Sequence, residues 1–206
     1  RERRFSFRRF IQKRFARLYP LHIATILMVL GYVAVGRLMG IGFQNPEVYS
    51  WQLLWPNLLM IHAWGVSDSM SWNYVSWSIS AEWFAYLVFL PLALLFLRLP
   101  GGNPARLALA LATFTALYLA APSLVGQELT LLTYDFAMLR ILPEFMLGIA
   151  LYHLSLDWDL DRRTGPWLLL AVFAALLAVA HLDLGHYLAV LLLAVLIFGA
   201  ASLERQ

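Results

Sequence analysis

Residues 76–86 read SWSISAEWFAY, and this stretch decides the fold of the chain. It opens the apolar run 75–97, which is long enough to cross roughly 30 Å of hydrocarbon as a helix. Glu82 lies within this run, and an ionisable group at membrane depth is costly unless it is paired or solvated. Because Ser78, Glu82 and Tyr86 are four residues apart, they would share one face of a helix. We therefore predict a transmembrane helix whose polar face is turned toward other helices or toward a water-filled cavity.

The composition of the chain indicates an integral membrane protein. Its 206 residues are 62% hydrophobic and only 13% charged, whereas soluble domains are about half apolar and about a quarter charged. We therefore predict an all-α fold, a polytopic transmembrane helical bundle that forms a single domain over 1–206. The apolar runs lie at 18–36, 51–64, 75–97, 105–125, 139–156, 166–181 and 187–203.

One of these runs differs from the others in length and composition. As a helix, 51–64 would reach only about 21 Å, and it carries Pro56, Asn57 and His62. These features are more typical of a re-entrant or interfacial segment than of a span. The sequence therefore predicts about six spanning helices and one segment that enters the membrane without crossing it.

Basic residues are concentrated at the start of the chain. Eight of the fifteen lysines and arginines lie in 1–17, where only Glu2 opposes them. An arm that binds nucleic acid can have this composition, but this segment runs directly into an apolar run. We therefore predict a cytoplasmic lead-in at 1–17 that touches the lipid bilayer, membrane helices over 18–203, and no nucleic-acid partner. If 51–64 does not cross, the loop arginines other than Arg37 also fall on the cytoplasmic side, which favours this topology.

Residue content and spacing exclude several kinds of chemistry. The chain has no cysteine, which excludes disulfides, thiolate catalysis and cysteine-based metal sites. The histidines show no metal-binding spacing such as H-E-x-x-H, and no glycine-rich phosphate loop is present. We therefore expect no metal site, no bound cofactor and no nucleotide hydrolysis.

Three motifs together resemble the acyltransferase 3 family of membrane proteins, which O-acylate bacterial glycans and lipids. The first is FIQKRFARLYP at 10–20, at the entry to a helix. The second is WSISAEWFAY at 77–86, which is similar to the family signature W-S-L-S-x-E-x-x-x-Y, and the third is RILPEFMLG at 140–148. The sequence NLLM at 57–60 also lies where the family has a similar stretch. The order and spacing of these motifs along one hydrophobic chain carry the resemblance.

The resemblance implies a membrane-bound O-acyltransferase. Such an enzyme moves an acyl group, here expected to be acetyl, from cytoplasmic acyl-CoA to a hydroxyl. The implied partners are acyl-CoA as co-substrate, a glycan or glycolipid acceptor, and the lipid bilayer. The implied location is the bacterial inner membrane, which the protein would cross several times.

Arg14 and Arg17 are the candidates for binding the donor. They are one helical turn apart at the rim of the apolar run, and guanidinium groups bind the phosphates of acyl-CoA in a forked geometry. The alternative is a cluster that only sets topology and reaches toward lipid headgroups. Both interpretations remain open from the sequence.

Glu82 and Ser78 are the candidates for catalysis. Glu82 could act as a general base or could bind and orient the acceptor hydroxyl, and seven residues of helix would put it about 10 Å below the outer surface. The alternative is a structural ion pair with Arg140 or Arg37. Ser78 lacks an obvious base beside it in sequence, which argues against a covalent nucleophile.

Further residues of these motifs are expected to line the site: Trp77, Ser80, Tyr86, Arg140 and Glu144. Ser80 could orient Glu82 or bond a carbonyl of its own helix. Trp77 could instead belong to an interfacial aromatic belt. Arg140 and Glu144 are four residues apart and are expected to form a salt bridge that lets both charges enter the membrane.

The sequence departs from the family pattern in one respect. The family carries an arginine and, about ten residues later, a histidine that acts in acyl transfer, whereas here Arg9 precedes His22 by a different spacing. We therefore expect this chain to be part of the family domain, with the catalytic histidine upstream of it. Two alternatives remain: a transporter or flippase-like protein that performs no chemistry, and an inactive fragment.

Overall fold

Most of the described part of the chain is helical. A computed structural model describes residues 5–67 and 69–205, and within these ranges it contains no β-strand. Its α-helices are α1 (Phe7–Leu38), α2 (Trp51–Leu58), α3 (Trp77–Arg98), α4 (Gly102–Val125), α5 (Ala137–Asp157), α6 (Gly165–His181) and α7 (His186–Glu204). Short 3₁₀ helices occur at Pro46–Tyr49, Tyr74–Ser76 and Leu129–Leu131. The prediction of an all-α fold is confirmed.

The long helices have the length and composition of membrane spans. In the described part of the chain, five helices are long and apolar enough to cross a bilayer: α1, α3, α4, α5 and α7. α6 is equally apolar but has only 17 residues, which is roughly 26 Å. The protein is therefore a polytopic helical membrane protein, with α6 as the short sixth helix of the predicted bundle.

The basic stretch at the start of the chain forms the first turns of α1. The helix begins at Phe7, and the Ser6 side chain accepts a hydrogen bond from the backbone N–H of Arg9 at 3.5 Å. Ser is a good N-cap, and arginine and lysine favour helix. The predicted lead-in is thus helical over 7–17, while its residues 1–4 lie outside the described part. At 32 residues α1 is about 48 Å long, so it exceeds the hydrocarbon thickness.

The segment predicted to be re-entrant doubles back on itself. α2 has eight residues, about 12 Å of helix, which is too short to cross. After it, Met60 takes a left-handed conformation with φ of 56°, and the chain returns toward its starting point. There the backbone N–H of Trp72 donates to Val48 O at 3.1 Å, and its indole N–H donates to Ser50 O at 2.8 Å. Because its two ends are hydrogen-bonded to each other, this segment folds back to the place where it began.

The chain divides into two compact units. The first unit contains the described residues up to Leu92 together with Leu131–Leu142, and the second contains Ala93–Thr130 and the described residues from Pro143 onward. The first unit therefore holds α1, α2, most of α3 and the start of α5. It contains most of the residues that the sequence analysis singled out.

The second unit is built on α4, α6, α7 and most of α5. Phe114 of α4 stacks on Tyr187 of α7 with ring centroids 5.2 Å apart. α6 packs directly on α7, where a side chain at Gly199 would collide with Leu169. Directly after α7, Arg205 forms a salt bridge with Asp159 at 2.6 Å. A cavity of about 390 Å³ in this unit is lined by apolar side chains.

Candidate functional site

α1 and α3 run antiparallel in the first unit and carry the candidate site between them. Phe10 stacks on Phe89 with centroids 5.0 Å apart near the basic end of α1. Further along α1, the Thr25 hydroxyl accepts a hydrogen bond from Asn73, just before α3, at 2.9 Å. The basic end of α1 therefore lies beside a late turn of α3, and the middle of α1 lies beside the residues that precede α3.

The central group of the site consists of Arg14, Tyr86 and Glu82. The Tyr86 hydroxyl donates to Glu82 Oε1, and Arg14 Nη1 lies 3.5 Å from the Tyr86 hydroxyl oxygen. The Arg14 guanidinium carbon lies 4.8 Å from the Tyr86 ring centroid and 5.3 Å from that of Phe10. Such cation–π contacts strengthen when they are desolvated. The predicted shared face on α3 is confirmed for Glu82 and Tyr86, whereas Ser78, which was expected on the same face, is exposed.

This Arg14–Tyr86–Glu82 group is partly enclosed by apolar side chains. Tyr86 is buried against Leu18 and Met60, whereas Arg14 and Glu82 are half-buried. Glu82 is therefore linked through Tyr86 to Arg14. The ion-pair alternative had instead paired Glu82 with Arg140 or Arg37.

The structure brings Glu82 close to the basic turns of α1. Its partner Tyr86 contacts Arg14, which lies in these turns. Glu82 itself lies five residues after the start of α3 at Trp77. The carboxylate and the candidate donor residues are therefore neighbours, and the depth of Glu82 below the outer surface stays a prediction.

Arg17 is one turn beyond Arg14 and is exposed. Its guanidinium is therefore accessible to a ligand from solution, while the Arg14 guanidinium is packed on two rings. The two predicted donor-binding residues thus differ in surroundings.

Ser80 and Ser78 have opposite surroundings. Ser80 is fully buried: its hydroxyl donates to Met60 O at 2.9 Å and accepts from the Ala63 N–H at 3.1 Å. Its carbonyl accepts the Trp64 indole N–H at 3.0 Å. Ser80 thus holds the turn of the re-entrant segment, and both predictions for its hydroxyl were wrong: it neither orients Glu82 nor bonds its own helix. Ser78 is exposed.

Replacing Ser80 with Ala is expected to destabilise the folded protein by about 1–3 kcal/mol, because a buried carbonyl and a buried N–H would both lose their partner. Thermal unfolding in detergent, followed by tryptophan fluorescence, measures the effect. Ser78→Ala is the matched control and should change stability by less than about 0.5 kcal/mol. Equal unfolding midpoints for the two variants would contradict this role of Ser80.

Arg140 and Trp77 come together although they are distant in sequence. The Arg140 guanidinium carbon lies 5.5 Å from the Trp77 ring centroid. Trp77 and Ile141 also pack on a small buried cluster that contains Ala81. Glu144 follows on α5, half-buried, and belongs to the second unit. Trp77 is therefore held by contacts within the protein. The alternative interpretation had placed it in an aromatic belt at the membrane interface.

The sequence analysis did not identify a buried histidine network next to the re-entrant segment. The rings of His22 and His62 are parallel, with centroids 5.8 Å apart and an interplanar angle of 3°. His22 Nε2 bonds Asn57 O at 2.7 Å, and His62 Nε2 bonds the Ser76 hydroxyl at 3.1 Å. Asn57 Nδ2 donates to Ser71 at 2.7 Å. The network thus ties α1 to both limbs of the re-entrant segment.

This buried histidine network retains unused hydrogen-bonding capacity. Both histidines are at most 2% exposed. Among the described residues, the Nδ1 atoms of His22 and His62 and Oδ1 of Asn57 have no partner. The sequence contained one indication that His22 is buried. Leu18, His22 and Ile26 recur every four residues, and all three lie on the buried face of α1. A histidine on such a face requires a buried polar partner.

The described residues, 5–67 with 69–205, contain no group of three acidic, histidine or cysteine side chains that could hold a metal ion. The polar groups that the structure brings together are therefore guanidinium, carboxylate, phenol, hydroxyl and imidazole. These groups suit proton transfer and anion binding.

The fold and the site define a class of protein: a multi-pass membrane protein with a hydrogen-bonded carboxylate beside a basic helix end. A family model described as an acyltransferase domain matches residues 1–206. The chain therefore belongs to the acyltransferase 3 family, and its activity is the transfer of acyl groups other than aminoacyl groups. No curated protein and no solved structure gave a significant match.

Proposed function

We propose that this protein O-acylates a glycan or glycolipid hydroxyl, with acyl-CoA from the cytoplasm as donor and acetyl as the transferred group, in the bacterial inner membrane. The observation that supports this most directly is the Arg14–Tyr86–Glu82 group, in which a carboxylate is hydrogen-bonded at the basic end of α1. A donor with phosphates is bound by guanidinium groups, and an acceptor hydroxyl needs a base within hydrogen-bonding reach.

On the donor side, Arg17 is the principal phosphate contact. It is exposed and one turn from Arg14, and the neighbouring turns of α1 add positive charge. Arg14 supports this contact, and it positions Tyr86 through the ring packing and the hydrogen bond described above. The positive-inside rule puts this basic end in the cytoplasm, where acyl-CoA is available.

On the acceptor side, Glu82 acts on the hydroxyl. Because Tyr86 donates to Oε1, the other carboxylate oxygen is the one that accepts a hydrogen bond from the acceptor. The acceptor oxygen attacks the thioester carbonyl, its proton passes to Glu82, and the carbon–sulfur bond breaks. Glu82 then gives this proton to the departing CoA thiolate, so the products are an ester and free CoA thiol, and the carboxylate is regenerated.

Replacing Arg17 with Ala is expected to raise KM for acyl-CoA about tenfold, because one charge-assisted phosphate contact is worth roughly 1.5–3 kcal/mol, and to change kcat little. Initial rates at varied acetyl-CoA concentration measure this effect. Arg9→Ala is the matched control, because Arg9 is also exposed on α1. An equal rise in KM for both variants would mean that general surface charge, and not Arg17, attracts the donor.

The proposed reaction is tested with membranes that contain the full-length protein, radiolabelled acetyl-CoA and a cell-envelope glycan fraction. Labelled glycan that releases its label in mild alkali, and that forms only when the protein is present, supports O-acylation. Consumption of acetyl-CoA without labelled glycan, or transport of unmodified glycan, contradicts it.

A further inference from the structure

A pocket of about 360 Å³ lies in the first unit, between the segment that follows α1 and the returning limb of the re-entrant segment. Its volume is within the range of about 300–1,000 Å³ that is typical of small-molecule sites. The lining combines aromatic rings with two carboxamides, contributed mainly by Phe43, Gln44, Asn45, Tyr49, Trp72 and Tyr74. This composition differs from the apolar lining of the cavity in the second unit.

The returning limb separates this pocket from the buried histidine network. Met70, Trp72 and Tyr74 line the pocket. Ser71 and Asn73 alternate with these residues, and their side chains point away from the pocket. Ser71 accepts a hydrogen bond from Asn57, and Asn73 donates one to Thr25. One wall of the pocket is therefore fixed from behind by buried hydrogen bonds.

The aromatic wall is held rigidly. The Trp72 ring is fixed by the hydrogen bond from its indole to Ser50 and by an edge contact with Tyr49, whose centroid is 5.8 Å away. Tyr49 contacts Phe43 in turn at 5.3 Å, and Phe43 packs on Gly36 near the end of α1. Rigid aromatic surfaces lose little conformational entropy when they bind a ligand.

The polar side chains of the pocket are available to a ligand. Gln44 and Asn45 are exposed, and the Asn45 side chain does not cap the 3₁₀ helix that it precedes. Carboxamides both donate and accept hydrogen bonds, which suits the hydroxyls of a sugar. The C–H groups of a pyranose ring can lie against the electron-rich faces of aromatic rings.

We propose that this pocket binds one pyranose ring of a neutral glycan, and thus forms an acceptor subsite for a ring other than the one whose hydroxyl Glu82 contacts. The inference rests on the proposed function for its link to acylation, although sugar binding can be measured separately. The pocket lies at the end of α1 opposite its basic turns, which is the side where a surface glycan is present if the basic end is cytoplasmic.

The test uses purified full-length protein and four variants: Tyr74→Ala, Asn45→Ala, Trp55→Ala and Tyr74→Phe. Tyr74→Ala removes an exposed ring and Asn45→Ala removes an amide, whereas Trp55→Ala is the control, because Trp55 is 67% exposed and lies outside the pocket. Chitotetraose and maltotetraose are titrated against tryptophan fluorescence. KM for the cell-envelope glycan fraction is measured with labelled acetyl-CoA.

We expect Tyr74→Ala and Asn45→Ala to weaken saturable oligosaccharide binding about tenfold, which corresponds to about 1.4 kcal/mol. They should raise KM for the glycan to a similar extent while KM for acetyl-CoA stays unchanged. Tyr74→Phe and Trp55→Ala should behave like the wild type.

An unchanged glycan KM in both pocket variants would overturn the subsite while leaving the acyltransferase proposal in place. If the wild-type protein acylates no glycan, the proposed function fails, and the titration alone decides the pocket. In that case, saturable binding that the pocket variants lose supports the subsite, and absence of saturable binding by the wild type overturns it.

Discussion

Glu82→Gln is expected to reduce acyl transfer by about 10²–10⁴-fold, the range associated with loss of a positioned acid–base group. Glutamine keeps a side-chain oxygen that can accept the hydrogen bond from Tyr86, but it cannot take up a proton from the acceptor. The fold should therefore persist while the chemistry fails. The measurement is the initial rate of labelled acetyl transfer, normalised to the amount of protein in the membrane.

Two further variants separate a chemical role of Glu82 from a structural one. Tyr86→Phe removes the hydrogen bond to Glu82 but leaves the carboxylate, so its loss of rate should be smaller than that of Glu82→Gln. Ser78→Ala should retain the wild-type rate, because Ser78 is exposed at the start of α3. Wild-type activity of Glu82→Gln would remove Glu82 from the mechanism.

Asn57→Leu is expected to lower the free energy of unfolding by about 2–4 kcal/mol. Asn57 is fully buried, and its amide donates to Leu53 O at 2.8 Å and to Ser71 at 2.7 Å. Leucine would leave both acceptors without their partner inside the protein, at a cost of about 1–3 kcal/mol for each buried group. Denaturant unfolding in detergent measures the loss.

The matched control for this prediction is Asn45→Ala, because Asn45 is an exposed asparagine of the same unit. Its stability should stay within about 0.5 kcal/mol of the wild type. If Asn57→Leu is as stable as this control, the re-entrant segment is held by its apolar contacts, and the buried histidine network does not stabilise it.

Local spacing made part of the site predictable. Glu82 and Tyr86 are four residues apart on α3, and their contact needs nothing beyond helical geometry. Ser78 shows the limit of the same rule. Each four-residue step overshoots a full turn by about 40°, so Ser78 lies about 80° around the helix from Tyr86. That rotation is enough to separate an exposed residue from a buried one.

The unpredicted contacts all depend on how distant segments pack. Trp77 and Arg140 meet through the packing of α3 with the start of α5, and His22 and His62 meet only because the re-entrant segment folds back beside α1. For Ser80 the sequence offered only Glu82 or a carbonyl of its own helix as partners, because its tertiary partners could not be read from spacing. The length of the run 51–64, in contrast, could be read from the sequence, and it predicted that this run does not cross a bilayer; α2 has only eight residues.

The most direct test of the central claim is acyl transfer by the full-length protein in proteoliposomes with radiolabelled acetyl-CoA and a glycan acceptor. The claim is that Glu82, beside the basic end of α1, acts on a hydroxyl that attacks the thioester. It predicts alkali-labile label on the glycan with the wild type and almost none with Glu82→Gln. Equal labelling by both proteins, or movement of unmodified glycan across the membrane without labelling, would contradict it.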